Sequence, residues 1–145
     1  MAENLHEITI AASAERIFDA ITTHEGMISW WTADCEVEPK VGSIAVFRFN
    51  QRSIVFKMRI DELARPTRVA WTCLGDIEQW TGTQISFYLE PLDSNRTRVS
   101  FVHGNWRSTD GHFPTSNTTW GALMVKLRDY CEGRGTGPFF TGRTD

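Results

Sequence analysis

One stretch near the end of the chain decides the fold: residues 115–132, with the sequence TSNTTWGALMVKLRDYCE. Large apolar side chains recur in it at the spacing of an α-helix, namely at Trp120, Leu123, Met124, Leu127, Tyr130 and Cys131. We therefore predict one long helix over Thr115–Glu132. Because one face of this helix is apolar, another layer of structure must cover it.

The covering layer is predicted by residues 43–103, where short segments alternate between apolar and polar residues. This period of two is typical of antiparallel strands with one packed face and one wet face. The predicted strands are Ser43–Phe49, Ser53–Leu63, Arg68–Leu74, Thr83–Glu90 and Arg96–His103, with turns at residues 39–42, 64–67 and 91–95. The pattern predicts a meander that packs against the long helix.

The N-terminal part predicts an edge strand followed by two short helices. Leu5–Ile10 alternates weakly, as an edge strand does. Ser13 can cap a helix over Ala14–Thr22, and a second helical turn covers Glu25–Trp31. The expected fold is α+β, with a curved antiparallel sheet of six or seven strands wrapped around a long C-terminal helix.

Composition limits the classes of function. The 145 residues suit a single domain over 1–145, whose Gly-rich end, residues 133–145, we expect to be loosely packed. A net charge of -3 without any run of Lys or Arg argues against nucleic acid as a partner. The sequence has no secretion signal and no apolar stretch of membrane-spanning length. Three widely spaced cysteines, Cys35, Cys73 and Cys131, favour reduced thiols and a cytoplasmic location.

Several short motifs narrow the fold further. In chain order they are AERIFDAIT at 14–22, Trp30-Trp31, Val41-Gly42, RPTRVAW at 65–71, TRV at 97–99, His103, and Trp120 with Leu127 and Tyr130. Over Ile8–Glu132 they resemble the family related to the C-terminal domain of the activator of heat-shock-protein-90 ATPase, within the START-like (SRPBCC) superfamily. Ser43 and Thr119 stand where this family usually has glycine.

The resemblance implies the helix-grip fold and, for function, a cavity between sheet and helix. Relatives in the superfamily hold lipids, hormones or polyketides there, and a few act on them as cyclases or hydratases. The family also implies a connection with stress. The N-terminal domain that accompanies this module in the eukaryotic co-chaperone has no counterpart in these 145 residues, so direct activation of the chaperone is a weaker expectation.

Aromatic and Met side chains on facing inner surfaces are the candidate ligand contacts. The predicted ligand-binding residues are Trp30, Trp31, Phe56, Met58, Trp71, Phe87, Phe101, His103, Trp120 and Met124. We expect Trp71, Phe101 and Trp120 to border one shared pocket, with His103 at its polar rim. The alternative for His103 is a structural residue bonded to a backbone carbonyl or to water. Because two adjacent rings cannot easily enter one core, one of Trp30 and Trp31 should lie at a surface or cleft. Core packing alone also explains the same set, and the family resemblance favours the cavity.

Known catalytic motifs are missing from the sequence: it has no Gly-x-Ser-x-Gly, His-Glu-x-x-His, Cys-x-x-Cys, Gly-x-Gly-x-x-Gly or phosphate-binding loop. His6, His24 and His112 stand in exposed or loop contexts without metal-ligand spacing, so no metal or cofactor is expected. The sequence favours a non-enzymatic protein that binds a small apolar or amphipathic molecule. A cyclase or hydratase and a chaperone-interacting module are the alternatives. A homodimer is compatible with the sequence but not indicated by it.

Overall fold

Seven strands and three helices account for the architecture. The computed structural model describes residues 2–49, 51–75 and 77–141. The strands are β1 (Ala2–Ile10), β2 (Asp34–Glu36), β3 (Ile44–Phe49), β4 (Ile54–Ala64), β5 (Arg68–Leu74), β6 (Gln84–Asp93) and β7 (Arg96–Trp106). The helices are α1 (Ala14–Thr22), α2 (His24–Trp30) and α3 (Phe113–Cys131).

The strands form one antiparallel sheet in the order β1-β7-β6-β5-β4-β3-β2. Sequential hairpins place β3 to β7 side by side, and β1 closes the far edge by pairing with β7. The register brings inward residues into line, as in the pairs Trp71↔Ile85 and Phe87↔Phe101. Since every strand turns the same face inward, the sheet has one continuous apolar face. The predicted α+β helix-grip architecture is confirmed.

The long helix α3 packs its apolar face onto this sheet. Trp120, Leu123, Met124 and Leu127 are buried, and each such side chain contributes about 1.5 to 3 kcal/mol by leaving water. The helix begins at Phe113, two residues earlier than predicted, because Pro114 is well suited to a first helical turn. No described helix is long and apolar enough to cross a membrane.

The two short helices meet at a tight corner. The Ser13 hydroxyl caps α1 by accepting from the Arg16 N–H at 3.2 Å, as predicted. Thr23 ends α1 and caps α2, where its hydroxyl accepts from the Gly26 N–H at 3.0 Å. Because one residue serves both helices, α1 and α2 are forced into direct contact.

Three local expectations need correction. The strand β2 was not predicted, because three residues are too few to establish an alternation. β7 continues three residues past its predicted end at His103 to Trp106, so residues 107–112 form the connection to α3. His6 does not lie in an exposed context: it faces α3, where a Cβ added to Gly121 would lie 3.4 Å from the His6 ring.

The C-terminal segment, residues 133–141, is anchored rather than loose. The Phe139 and Phe140 N–H groups donate to the carbonyls of Trp30 and Trp31 at 3.1 and 2.9 Å. The Phe140 carbonyl in turn accepts from the Ala33 N–H at 3.0 Å. The expectation of a loosely packed end is therefore wrong up to residue 141, because the backbone of this segment pairs with the end of α2. Residues 142–145 lie outside the described part of the chain.

Candidate functional site: an apolar cavity beside the long helix

A cavity of about 260 Å³ lies between the first half of α3 and the β3–β4 end of the sheet. Its walls are mainly aromatic, and its polar groups come from α3. The lining residues are Trp31, Phe49, Ile54, Phe56, Trp80, His112, Thr115, Ser116, Thr119, Trp120, Leu123 and Phe140. Such a concave apolar site with a few polar groups is the usual form of a small-molecule site.

Stacked rings build the apolar walls. Phe56 of β4 and Trp80 stack at 4.2 Å between ring centres, with an interplanar angle of 18°. At another side of the cavity, the ring centres of Trp31 and Trp120 lie 5.2 Å apart. Because these rings also hold one another in place, the walls are fixed without a ligand.

Trp80 lies in the β5–β6 connection, and two polar side chains hold that connection against the loop before α3. The Gln79 side chain bridges the loop: its Nε2 donates to the Asp110 carbonyl and its Oε1 accepts from the His112 N–H, both at 2.9 Å. Arg107 Nη1 donates to the Glu78 carbonyl at 2.9 Å. All three bonds are made to backbone, so Trp80 and the start of α3 are positioned together.

The C-terminal segment supplies the remaining wall through Phe140. Its ring meets Phe49 edge-on at 4.6 Å. Lys126 of α3 secures the segment further, because its Nζ donates to the Gly137 carbonyl at 3.1 Å. Phe140 therefore closes the cavity only while residues 133–141 stay docked.

Hydroxyl groups form the polar side of the cavity. Thr115, Ser116 and Thr119 lie one helical turn apart or less on α3 and line the cavity. Thr118, on another face, has a hydroxyl that donates back to the Pro114 carbonyl at 3.3 Å. Within the described chain, the three lining hydroxyls have no such partner, so they are available to a bound molecule.

His103 lies behind the cavity wall rather than at its rim. It is fully buried: Nδ1 accepts from the Trp120 Nε1–H at 3.0 Å, and Nε2 lies 2.8 Å from the Thr83 hydroxyl. Burial lowers the pKa of His103 to about 3, so the ring is neutral at pH 7. The expected rim position is wrong because Trp120 lies between the imidazole and the cavity.

Three of the ten predicted contacts line the cavity: Trp31, Phe56 and Trp120. Their role in binding stays a prediction. The others are core residues: Trp30, Met58, Trp71, Phe87, Phe101, His103 and Met124. The pocket expected between Trp71, Phe101 and Trp120 is filled, because Phe87 meets Trp71 at 5.4 Å and Phe101 at 5.2 Å, and Phe101 meets Trp120 at 4.4 Å.

The adjacent tryptophans are both buried, and Trp31 alone lines the cavity, so one of the two lies at a cleft as expected. Trp30 ends α2 and donates its Nε1–H to the Ala20 carbonyl at 2.8 Å, which orients it toward α1. Trp31 stacks on Phe47 at 4.2 Å. The helix ends between the two residues, so both rings can enter the core, and Trp31 alone reaches the cavity.

Several lining residues were missed by reasoning from the sequence. Ser116, Thr119, Trp120 and Leu123 share one helix face at spacings of three and four, so the helical period could have identified the two hydroxyls. Phe49 alternates with the other inward residues of β3 and was detectable in the same way. The remaining missed residues are Ile54, Trp80, His112, Thr115 and Phe140.

Ionisable side chains are scarce among the described residues that line the cavity. The one titratable side chain among the described lining residues is His112. The thiols lie elsewhere in the core, where burial raises the pKa of Cys73 and Cys131 to about 12 and that of Cys35 to about 11. A thiol with so high a pKa is not a nucleophile at pH 7.

A curved antiparallel sheet around a C-terminal helix, with a cavity between them, defines a START-like (SRPBCC) domain. The chain belongs to the family of activator of Hsp90 ATPase homolog 1-like proteins, whose model matches residues 11–132. The solved structure of the Aha1 dimer from Colwellia psychrerythraea is 37% identical and has a TM-score of 0.84, over 92% of this chain and 98% of that one. The predicted family is confirmed.

More distant structures share the fold alone. A protein from Mesorhizobium loti is 14% identical, with a TM-score of 0.77 over 88% of this chain and 95% of its own. A protein from Bacillus halodurans is 17% identical, with a TM-score of 0.74 over 91% of this chain and 98% of its own. A comparison with curated proteins finds no match. Family and fold are those of ligand-binding or chaperone-associated domains.

Proposed function

We propose that this protein binds a small apolar or amphipathic molecule, without catalysis, in the cavity beside α3. The observation that carries the proposal is the cavity of about 260 Å³ with aromatic walls and free hydroxyls on one side. A buried apolar cavity of about 150 Å³ is enough to bind benzene, so this one has room for a larger ligand. The absence of an acid–base pair among the described lining residues favours binding over a cyclase or hydratase reaction.

The proposal is tested by blocking the cavity at its edge. Ile54 lines the cavity and is 41% exposed, so Ile54→Trp places an indole over the opening with little change to the core. Naphthalene is the probe, and the indole N–H resonances of Trp31, Trp80 and Trp120 report its arrival in NMR spectra. The parent protein should show saturable shifts of these resonances, and Ile54→Trp should lose them.

Ile44→Trp is the matched control. Ile44 is 47% exposed on the neighbouring strand β3 and lies outside the cavity lining. It should leave the naphthalene titration unchanged. Shifts that survive Ile54→Trp, or a parent protein whose resonances do not move, would remove the proposal.

A second candidate follows from the family itself. The family is described as activator of Hsp90 ATPase homolog 1-like, and the Colwellia psychrerythraea relative is described as a dimer. We carry both over as a proposal: a cytoplasmic, stress-related homodimer that associates with this chaperone. Sedimentation equilibrium checks the dimer, and co-sedimentation with the chaperone checks the association.

A further inference from the structure

We infer that the ligand is an uncharged compound of one or two fused rings that carries a hydroxyl or carbonyl group at one end. This inference rests on the proposed function and specifies the class of molecule that the cavity takes. Three features of the lining carry it: the volume, the flat stacked walls, and the arrangement of polar groups along α3.

The volume of the cavity suits a small ring system. The cavity holds about 260 Å³, compared with about 150 Å³ for an apolar cavity that binds benzene. It is also below the range of about 300 to 1,000 Å³ typical of sites for drug-sized molecules. Two fused rings fit inside this volume, whereas a long acyl chain or a four-ring polyketide would extend through the opening into solvent.

Flat walls favour a planar molecule. The parallel stack of Phe56 and Trp80, with 4.2 Å between ring centres, presents ring surfaces and edges at one side. Trp120 and Leu123 of α3 lie at another side. An aromatic ring packs against such walls over its whole face, and stacked or edge-on contacts add to the free energy of burial.

The polar groups favour a neutral oxygen. The hydroxyls of Ser116 and Thr119, both half-buried, can each donate to or accept from a hydroxyl or carbonyl. Among the described lining residues there is no Asp, Glu, Lys or Arg, and His112 is exposed at the edge. A carboxylate placed among these hydroxyls would lose hydration without gaining a cation, which is unfavourable.

Three probes with the same ring test the inference at about pH 7: naphthalene, 2-naphthol and 2-naphthoate, of which the last alone is charged. The dissociation constant of each is measured by NMR titration. We expect 2-naphthol to bind about 3- to 10-fold more tightly than naphthalene, the usual net effect of a hydrogen bond. We expect 2-naphthoate to bind more weakly than naphthalene.

Matched variants locate the hydrogen bond. Ser116→Ala combined with Thr119→Val removes both half-buried lining hydroxyls, so the double variant should abolish the advantage of 2-naphthol over naphthalene. Thr118→Val removes the adjacent hydroxyl, which bonds to the Pro114 carbonyl, and should leave that advantage intact. Because the readout is a ratio of two ligands on the same variant, a general loss of stability does not imitate the effect.

The outcomes separate the two proposals. If 2-naphthoate binds as tightly as 2-naphthol, or if the Ser116→Ala/Thr119→Val double variant and Thr118→Val behave alike, the inference about ligand class is wrong while the binding function stands. If none of the three probes binds the parent protein, both fail.

Discussion

His103 shows how a single buried residue is held in one protonation state. The Trp120 Nε1–H can only donate, so His103 Nδ1 must accept and carries no proton. The Thr83 hydroxyl donates to the Trp80 carbonyl at 2.7 Å, so its oxygen accepts from His103 Nε2–H. A proton added at Nδ1 would face the Trp120 N–H, and burial opposes the charge as well. The ring is a structural link between the β5–β6 connection, β7 and α3.

Stability should therefore depend on pH through His103. The unfolded chain binds a proton at the ordinary histidine pKa of 6.5, whereas the folded protein resists protonation down to about pH 3. Stability from this residue is thus fully present above pH 6.5 and is lost as the pH falls, by up to about 1.4 kcal/mol per pH unit. Urea unfolding between pH 7.5 and about 5, above the usual carboxylate range, measures this slope.

His103→Gln is the comparison protein, because an amide can also accept from Trp120 and donate to Thr83 but does not titrate. His6, His24 and His112 remain in both proteins, so the difference in slope isolates His103. The free energy of unfolding of the variant should change less over this window. Parallel profiles would show that His103 is not protected from protonation.

At the scale of elements, the corner between α1 and α2 depends on a missing side chain. A Cβ added to Gly26 would lie 2.4 Å from the Ala20 carbonyl oxygen, which belongs to backbone and cannot rotate away. Gly121 of α3 is also helical, but a Cβ there would make an ordinary 3.4 Å contact with the His6 ring. The two helical glycines therefore have different roles. Gly26 permits the close approach of α1 and α2, whereas the site of Gly121 has room for a methyl group beside the His6 ring.

Alanine should lower the stability of the protein at position 26 but not at position 121. Gly26→Ala should lower the free energy of unfolding by about 1 to 3 kcal/mol, because α1 and α2 must move apart. Gly121→Ala should leave it unchanged or raise it by up to about 1 kcal/mol, since alanine has the higher helix propensity. Urea unfolding of both variants measures the pair. A Gly26→Ala protein as stable as the parent would mean that the corner relaxes freely.

At the scale of the whole molecule, alternation and helical spacing predict which residues face inward but not how they fill space. The period of two correctly turns Trp71, Phe87 and Phe101 inward. Whether three such rings leave a cavity depends on their summed volume against the width of the sheet, which no local pattern encodes. The inward face was therefore predictable, and the displacement of the cavity toward β3 and β4 was not.

The cavity-lining residues outside helices and strands could not be predicted from the sequence for another reason. Trp80 stands in a connection without periodicity. Its place is set by bonds between this connection and the loop before α3: Gln79 donates to the Asp110 carbonyl, and Arg107 of the loop donates to the Glu78 carbonyl. Phe140 follows a Gly-rich run whose composition favours looseness. Its order comes from backbone pairing with Trp31 and Ala33, which is a tertiary contact.

Because of this tertiary contact, the C-terminal segment contributes both to the stability of the fold and to the wall of the cavity. Substitutions at two adjacent phenylalanines test whether it closes the cavity through one particular side chain. Phe140 is half-buried against Phe49 and lines the cavity, whereas Phe139 is 40% exposed and lies outside the lining. Phe140→Ala should lower the free energy of unfolding by about 1 to 3 kcal/mol, less than for a fully buried ring, and should weaken naphthalene binding. Phe139→Ala should cost under about 1 kcal/mol and leave binding unchanged. Urea unfolding and NMR titration of the two variants measure both quantities, and equal effects at the two positions would mean that the segment does not close the cavity through Phe140.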